Sequence, residues 1–352
     1  MESKKGRFTL KDIAQALGVS TSTVSKALND SYEIGAHTKA SIKEFAKQVG
    51  YSPDTIAQSL KMGKSNTIGV IVCSLDNIFM AQMLDSIQHT CHQNGYSALI
   101  MPNDESYETE KQHTDLLISR GVDGLLVSTS LATTETAHLS QLLSKNIPVV
   151  LFDRLLEDLP VCKVSTDNCK GAYMATAHLI DKGYKRIALL QYADTHLNIH
   201  KERLEGYRQA LDHHHIAFHE DYVKHCRGND KETLQDSIAA ALKELMSFKT
   251  PPDAIFATTD RLTLLSLRAI RQMSLSIPQD LALIGFSNTE LADDLSPSLS
   301  TIVQPAREIA ATATNLLIEL IKDKNSSEKT VHQTILLEPQ IIARDSTKTK
   351  GL

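Results

Sequence analysis

The sequence predicts a mixed architecture: an all-α helix-turn-helix headpiece, then an α/β body of two doubly wound parallel-sheet lobes. Three observations carry this. Residues 8–30, FTLKDIAQALGVSTSTVSKALND, read as two short amphipathic helices around a tight glycine turn. From residue 67 onward, short β-branched runs alternate with helical patterns over short connections, which implies right-handed βαβ units and parallel sheets. A second run of the same kind begins near Val164. Two successive open α/β units form two lobes with a cleft between them, and such sheets bind ligands at the carboxyl ends of their strands.

The headpiece comes first. Thr9 can cap a helix carrying Ile13, Ala14 and Leu17, and Gly18 follows where a left-handed residue turns the chain. Ser20 offers a second N-cap; Val24, Ala27 and Leu28 line the next helix, which Asn29 and Asp30 stop. The outward face of that helix carries Thr21, Ser22, Ser25 and Lys26, short hydrogen-bonding groups and one cation that can approach base edges and phosphates. An ordinary helical hairpin would carry small polar residues too, so the face alone leaves both readings open. A third helix is expected over 38–50, with Ile42, Phe45, Ala46 and Val49 at helical spacing. Pro53 breaks the chain, Asp54 can cap a short helix over 55–60, and 63–66 reads as linker. That segment is a connector at least; the sharper reading is a hinge helix with Leu60 as an apolar wedge in the DNA minor groove.

In the body, strands are expected at Thr67–Val72, 96–101, Gly124–Val127 and Val149–Phe152, with helices between them. The second run holds a helix ending at Gly183, strand 186–190, helices around 204–211 and 234–248, strand Ala254–Ala257, helix 261–273 and strand 281–285. A helix over Ala306–Lys322 and a strand over 331–337 come last, and the tail after Arg344 reads as disordered. The domain division is then headpiece 1–50, hinge and linker 51–65, body 66–345 and tail 346–352. Within the body the N-lobe takes 66–163 and 290–325, and the C-lobe 164–289 and 326–345.

Bulk properties narrow the class. A chain of 352 residues exceeds one domain of usual size, and no run of 18 or more apolar residues occurs, which excludes a membrane-spanning helix. The charged amino end has no apolar core behind it, so no signal peptide is read and a cytoplasmic location is expected. Five scattered cysteines form no C-x-x-C pair and read as reduced thiols. Residues 1–64 hold ten Lys/Arg against six Asp/Glu, whereas the rest holds 27 against 36. A basic small module on an acidic body suits DNA contact by one end only.

Beyond these readings, the chain resembles the lac repressor (LacI/GalR) family of bacterial transcription regulators. The stretches that carry the resemblance run from about residue 9 to 344: TLKDIAQALGVSTSTVSKALN, VGYSPDTIAQSL, IGVIV, RGVDGLLV, IPVVLFDR, DNCKGAYMATAHLIDKGYKRIALL, ERLEGYRQAL, PDAIFATTD, IPQDLALIGFSN and SPSLSTIVQP. The resemblance implies a periplasmic-binding-protein-like body and places Thr21, Ser22 and Lys26 where the family's recognition helix reads bases. Thr23 and Ser25 fall on the same helix, Thr9 and Ser20 at the helix starts, and Asn29 at a backbone-contacting end. Leu60 matches the family's intercalating leucine and Ala57 precedes it as usual, but Gln58 stands where the family has Arg, removing a cation. Gly35 replaces the usual Ser cap of the third helix.

For the cleft, the resemblance implies effector contacts from Asn77, Phe79, Asp153, Arg154, Arg203, Asp260 and Ser287. Ile78, Met80 and Ser287 depart from the family's Asn-Pro-Phe-Phe and Gly-Phe-Asp patterns. Arg154 and Arg203 can hold a carboxylate or phosphate. The implied partners are a double-stranded DNA operator, a small effector such as a sugar or sugar acid with a nucleobase as the open alternative, and a second copy of the chain in a homodimer or a dimer of such dimers. No cofactor, metal or membrane partner is expected.

Other chemistries fare worse. His213, His214, His215, His219, His225 and Cys226 fit no common ligand spacing and read as a solvated loop. No P-loop, no strand-borne G-x-G-x-x-G and no G-x-S-x-G elbow occurs, and no poised acid–base pair is visible, so an enzyme is not expected. A two-lobed periplasmic transport protein would share the body but need a signal peptide and have no use for the first 60 residues. A ligandless scaffold with a headpiece is the third reading.

Overall fold

In the computed structural model, residues 8–51, 64–193, 197–228, 230–323 and 332–349 are described. The chain divides into two compact units, Met1–Ser65 and Asn66–Leu352. Among its described residues the first contains three helices, α1 (Leu10–Leu17), α2 (Thr21–Leu28) and α3 (Ala36–Gln48). Thr9 and Asp12 form a reciprocal capping box at the start of α1, so two otherwise orphaned backbone donors are satisfied. Gly18 ends α1 at φ 65°, a left-handed conformation that costs a side-chain-bearing residue steric energy. Ser20 caps α2 by accepting from the Thr23 amide, while α3 starts at Gly35 without a side-chain cap. Ile13, Ala14, Val24, Ala27, Ile42 and Ala46 form the small core, one apolar stripe from each helix.

The body begins with β1 (Thr67–Val72), α4 (Ile78–Gln93), β2 (Ser97–Pro102), α5 (Tyr107–Ser119), β3 (Gly124–Val127), α6 (Ala137–Ser144), β4 (Val149–Phe152) and β5 (Cys162–Thr166). It continues with α7 (Asn168–Asp181), β6 (Ile187–Tyr192), α8 (Asn198–His213), β7 (Val223–Cys226), α9 (Lys231–Met246), β8 (Ala254–Ala257), α10 (Asp260–Gln272) and β9 (Ala282–Phe286). The last elements are β10 (Ser300–Val303), α11 (Ala306–Lys322), β11 (Thr334–Leu337) and β12 (Gln340–Ile342).

The first sheet has the order β11-β5-β4-β3-β1-β2 and is parallel throughout; the second has the order β12-β10-β9-β8-β6-β7 and is parallel except for the antiparallel β10–β12 edge. The order reverses beside β1 in one sheet and beside β6 in the other. These switch points are where a crevice opens at the carboxyl ends of strands.

Strand pairing departs from the lobe boundaries drawn along the sequence. The strand β5 runs past residue 163 while staying in the first sheet beside β4, β10 joins the second sheet although it falls within 290–325, and β11 returns to pair with β5 although it falls within 326–345. The chain thus crosses between lobes three times. Short apolar strands look alike in sequence, and only the partner that completes their hydrogen bonds assigns them to a sheet.

Residues 345–349 of the tail are ordered, contrary to the sequence reading. Ser346 and Thr347 are buried; Ser346 Oγ donates to the Leu283 carbonyl at 2.6 Å and accepts from the Ser300 amide at 2.8 Å. Tyr184 donates to the Lys348 carbonyl at 2.7 Å. A polar tail stays ordered when its hydroxyls and carbonyls complete bonds for buried backbone.

Candidate functional site

In the first unit, α2 presents a polar face. Thr21, Ser22 and Lys26 are exposed on α2, whereas Val24 and Ala27 point into the core, so helical spacing alone separates the two sets. Ser20 Oγ lies 2.7 Å from Ser22 Oγ and 2.8 Å from Thr23 Oγ1, so the start of α2 is a linked row of hydroxyls. Lys26 Nζ pairs with Glu33, and Asn29 donates to the Ser25 carbonyl at 2.9 Å. Thr9 is exposed and committed to its capping box. Ala57, Gln58 and Leu60 lie outside the described residues.

In the body, polar groups gather where the strands of both sheets end. Asp153 and Arg154 follow β4, Ser128 and Thr129 follow β3, and Glu105 follows β2. From the other lobe come Tyr192 at the end of β6, Thr258 after β8, Asp260 at the start of α10, Ser287 after β9, and His200 and Arg203 on α8. Their electrostatics shows that the two groups face one another. Burial pushes the Asp153 carboxyl up, while Arg154 of its own lobe and Arg203 of the other oppose that shift. Burial raises the Tyr192 hydroxyl to about 12, with Arg261, Arg154 and Glu105 acting on it. The Asp260 carboxyl is likewise pushed up, by burial and by Asp76 of the opposite lobe, against the bond from Ser287.

Arg203 is the most constrained of these side chains. It is 2% exposed, and its guanidinium lies 3.7 Å over the Phe286 ring. Its Nε and Nη2 donate to Asn168 Oδ1 at 3.0 and 2.8 Å, Nη2 donates to Gln304 Oε1 at 3.0 Å, and Nη1 donates to the Thr258 carbonyl. Burial lowers its pKa to about 9, so it remains a cation at neutral pH. Gln304 also accepts from Thr166 at 3.3 Å, and Asn288 reaches Gln82 of α4 at 2.9 Å. Hydrogen bonds therefore tie the lobes together around the crossings.

His200 is 7% exposed and its Nδ1 has no hydrogen-bond partner among the described residues. Burial, then Arg203, Arg154 and His225, hold its pKa down to about 3 from an ordinary 6.5. Between those values the unfolded chain binds a proton that the folded chain refuses. Stability from this group is complete above the unfolded value and is lost as the pH falls through it, by at most about 1.4 kcal/mol per pH unit. Urea melts should therefore show a shallower acid loss for His200→Phe than for the parent from about pH 6.5 to 4. Equal slopes would mean that the imidazole is solvated.

Asp153 and Arg154 after β4 act electrostatically on Arg203 of the other lobe, and Ser287 donates to Asp260 beyond β8 and β9, at the strand ends where a cleft between the lobes opens. Asn77 stands at its edge, where its Oδ1 caps α4 by accepting from the Met80 amide at 2.8 Å. Phe79 differs. It is only 8% exposed and packs in the first lobe's hydrophobic core, so it is not an open aromatic platform. Helical spacing puts Phe79, Met80, Met83 and Ile87 on the sheet-facing side of α4, leaving Ile78 outward at 40% exposure. Sequence reasoning missed Glu105, Thr129, Asn168, Tyr192, His200, Thr258 and Gln304. Several lie just beyond a strand's carboxyl end, which was the available signal; Asn168 and Gln304 are 35 and 101 positions from Arg203, and nothing local marks them.

The chain matches two family models, "Bacterial regulatory proteins, lacI family" over residues 9–54 and "Periplasmic binding protein-like domain" over residues 176–347. It is 31% identical over 340 residues to the HTH-type transcriptional repressor PurR of Vibrio cholerae, covering 97% of this chain and 98% of that protein. It is 30% identical over 338 residues to the ribose operon repressor of Haemophilus influenzae, covering 96% of this chain and 98% of that one. A crystal structure of the lac repressor dimer bound to operator and the anti-inducer ONPF shares the fold at a TM-score of 0.83, with 23% identity, covering 97% of this chain and 100% of that chain. Among the described residues no helix is long and apolar enough to cross a membrane, and no group of His, Cys, Asp and Glu is placed to hold a metal. The chain belongs to the lacI family of bacterial regulatory proteins, and it is a DNA-binding regulator of transcription, not an enzyme.

Proposed function

We propose that the protein is a repressor that binds a palindromic operator as a homodimer, with its affinity set by a sugar or sugar derivative held between the two lobes. The observation that supports this reading is that Asp153 and Arg154 of one lobe act on Arg203 of the other, beyond the strand ends of two lobes joined by three chain crossings. A ligand that bridges such lobes stabilises one relative angle over another, and only that differential affinity can shift the equilibrium. The coupling is reciprocal: an effector that weakens DNA binding is itself bound more weakly by the DNA complex, typically by 1–3 kcal/mol. The name of the ribose operon repressor favours a sugar. A two-fold dimer suits paired recognition helices on a palindrome.

On this reading Thr21, Ser22 and Lys26 read bases, with Thr23, Ser25 and Asn29 supporting them, and Ala57, Gln58 and Leu60 belong to the hinge. In-vitro selection of DNA by the full-length protein, followed by anisotropy titrations with and without sugars, tests it. The expected result is a palindromic site whose affinity changes with one of the sugars. Leu60→Ala should weaken operator binding about tenfold, close to 1.4 kcal/mol, while effector affinity in the absence of DNA is retained. Unchanged operator affinity would remove the hinge wedge.

A further inference from the structure

We propose that Glu105 determines effector specificity: by occupying the Arg154 guanidinium it reserves the cleft for an uncharged polyhydroxyl ligand and excludes the carboxylate or phosphate form of the same sugar. This rests on the reading of the cleft as the effector site.

Glu105 binds Arg154 through both oxygens, Oε1 to Nη2 at 2.8 Å and Oε2 to Nη1 at 2.7 Å. The same Oε2 accepts from the Leu131 amide at 2.8 Å, and Arg154 Nη1 also donates to the Thr129 carbonyl at 3.2 Å. A bidentate pair fixes the guanidinium plane, and this one joins the loops after β2, β3 and β4. Asp104 and Glu105 take φ values of 50° and 59° in succession. Left-handed conformations at two adjacent residues with side chains persist only where the surroundings over-determine them.

Arg203, the second cation, is committed to Asn168, Gln304 and the Thr258 carbonyl. Each guanidinium that an anionic ligand would seek thus already has acceptors from the chain. Asp153 and Asp260 each accept from a serine, Ser128 and Ser287. Thr129 Oγ1, Thr258 Oγ1 and His200 Nδ1 are buried without hydrogen-bond partners among the described residues. Hydroxyls and carboxylates suit an alcohol, which accepts from the former and donates to the latter. An incoming carboxylate would instead meet Glu105, Asp153 and Asp260, and like charges in a partly buried site oppose binding.

The test compares matched pairs on the full-length protein by calorimetry and thermal shift: glucose with glucuronate, galactose with galacturonate, ribose with ribose 5-phosphate, and adenine and guanine as non-sugar probes. The expected result is that a neutral sugar binds and its charged partner binds at least about tenfold more weakly. Glu105→Gln should shift that ratio toward the charged partner by about tenfold, whereas Glu105→Asp should retain the exclusion. A merely structural role for Glu105 would weaken both members of a pair alike, leave the ratio where it was, and overturn the assignment. A charged sugar binding the parent as tightly as its neutral partner overturns the charge rule and leaves the sugar-effector reading standing. Binding of a nucleobase alone, or of no probe, overturns both.

Discussion

Arg203→Ala is expected to abolish the effector's control of operator binding and to destabilise the body by about 3 kcal/mol. The size follows from what the guanidinium leaves behind. Asn168 Oδ1 and the Thr258 carbonyl are buried acceptors that would lose their donor, Gln304 Oε1 would keep only the longer bond from Thr166, and Asp153 would lose an opposing cation. An unsatisfied buried polar group costs about 1–3 kcal/mol, and relaxation recovers part of the sum. Arg203→Lys should rescue little, because an ammonium cannot reproduce the fork that holds Asn168 through two nitrogens. Anisotropy titrations with labelled operator and urea melts of the same variant separate the two effects. Since the headpiece is its own compact unit, operator binding without effector should persist. A normal effector response in Arg203→Ala would remove this residue from the site.

Gly206→Ala should lower stability by about 3 kcal/mol or more, although helix propensity alone predicts a gain of about 1 kcal/mol for alanine over glycine. The opposing effect is larger because the new Cβ would lie 2.1 Å from the Cys169 carbonyl oxygen and 2.9 Å from the Ala172 Cβ. Those atoms belong to α7, mostly to its backbone, so the helices must separate instead of a side chain swinging away. Arg203 sits one turn before Gly206 on α8, and Asn168 begins α7. Separation would therefore pull apart the Arg203–Asn168 bonds, and the same variant should lose effector affinity. Calorimetric melting checks the first outcome and ligand titration the second; a variant as stable as the parent would show that α7 and α8 pack less closely than described.

Most elements were legible because their physics is local. The apolar stripe of Ile13, Ala14 and Leu17, the left-handed Gly18 and the Ser20 cap depend only on near neighbours in sequence. The same holds for β1, β3, β4 and β8, whose apolar runs lie between helical patterns. Asp153, Arg154, Asp260 and Ser287 were named through the resemblance to the lac repressor family, and the structure places them just beyond strands, at the end where α/β sheets bind ligands. Phe79 was misplaced because an aromatic residue after a strand suits either a ligand platform or a core, and the face of α4 decides between them.

By itself the sequence determined the helix-turn-helix, the alternation that makes two open sheets, and some of the polar groups at their ends. The tertiary structure decided which sheet receives β5, β10, β11 and β12, how the tail is held, and which groups are already spent on one another. Glu105 and Arg154 are 49 positions apart, and Arg203 and Gln304 are 101. The reason is physical: helix periodicity, caps and turns arise from contacts a few residues apart, whereas strand partners and buried charge pairs are fixed only when distant segments must satisfy one another's hydrogen bonds away from water.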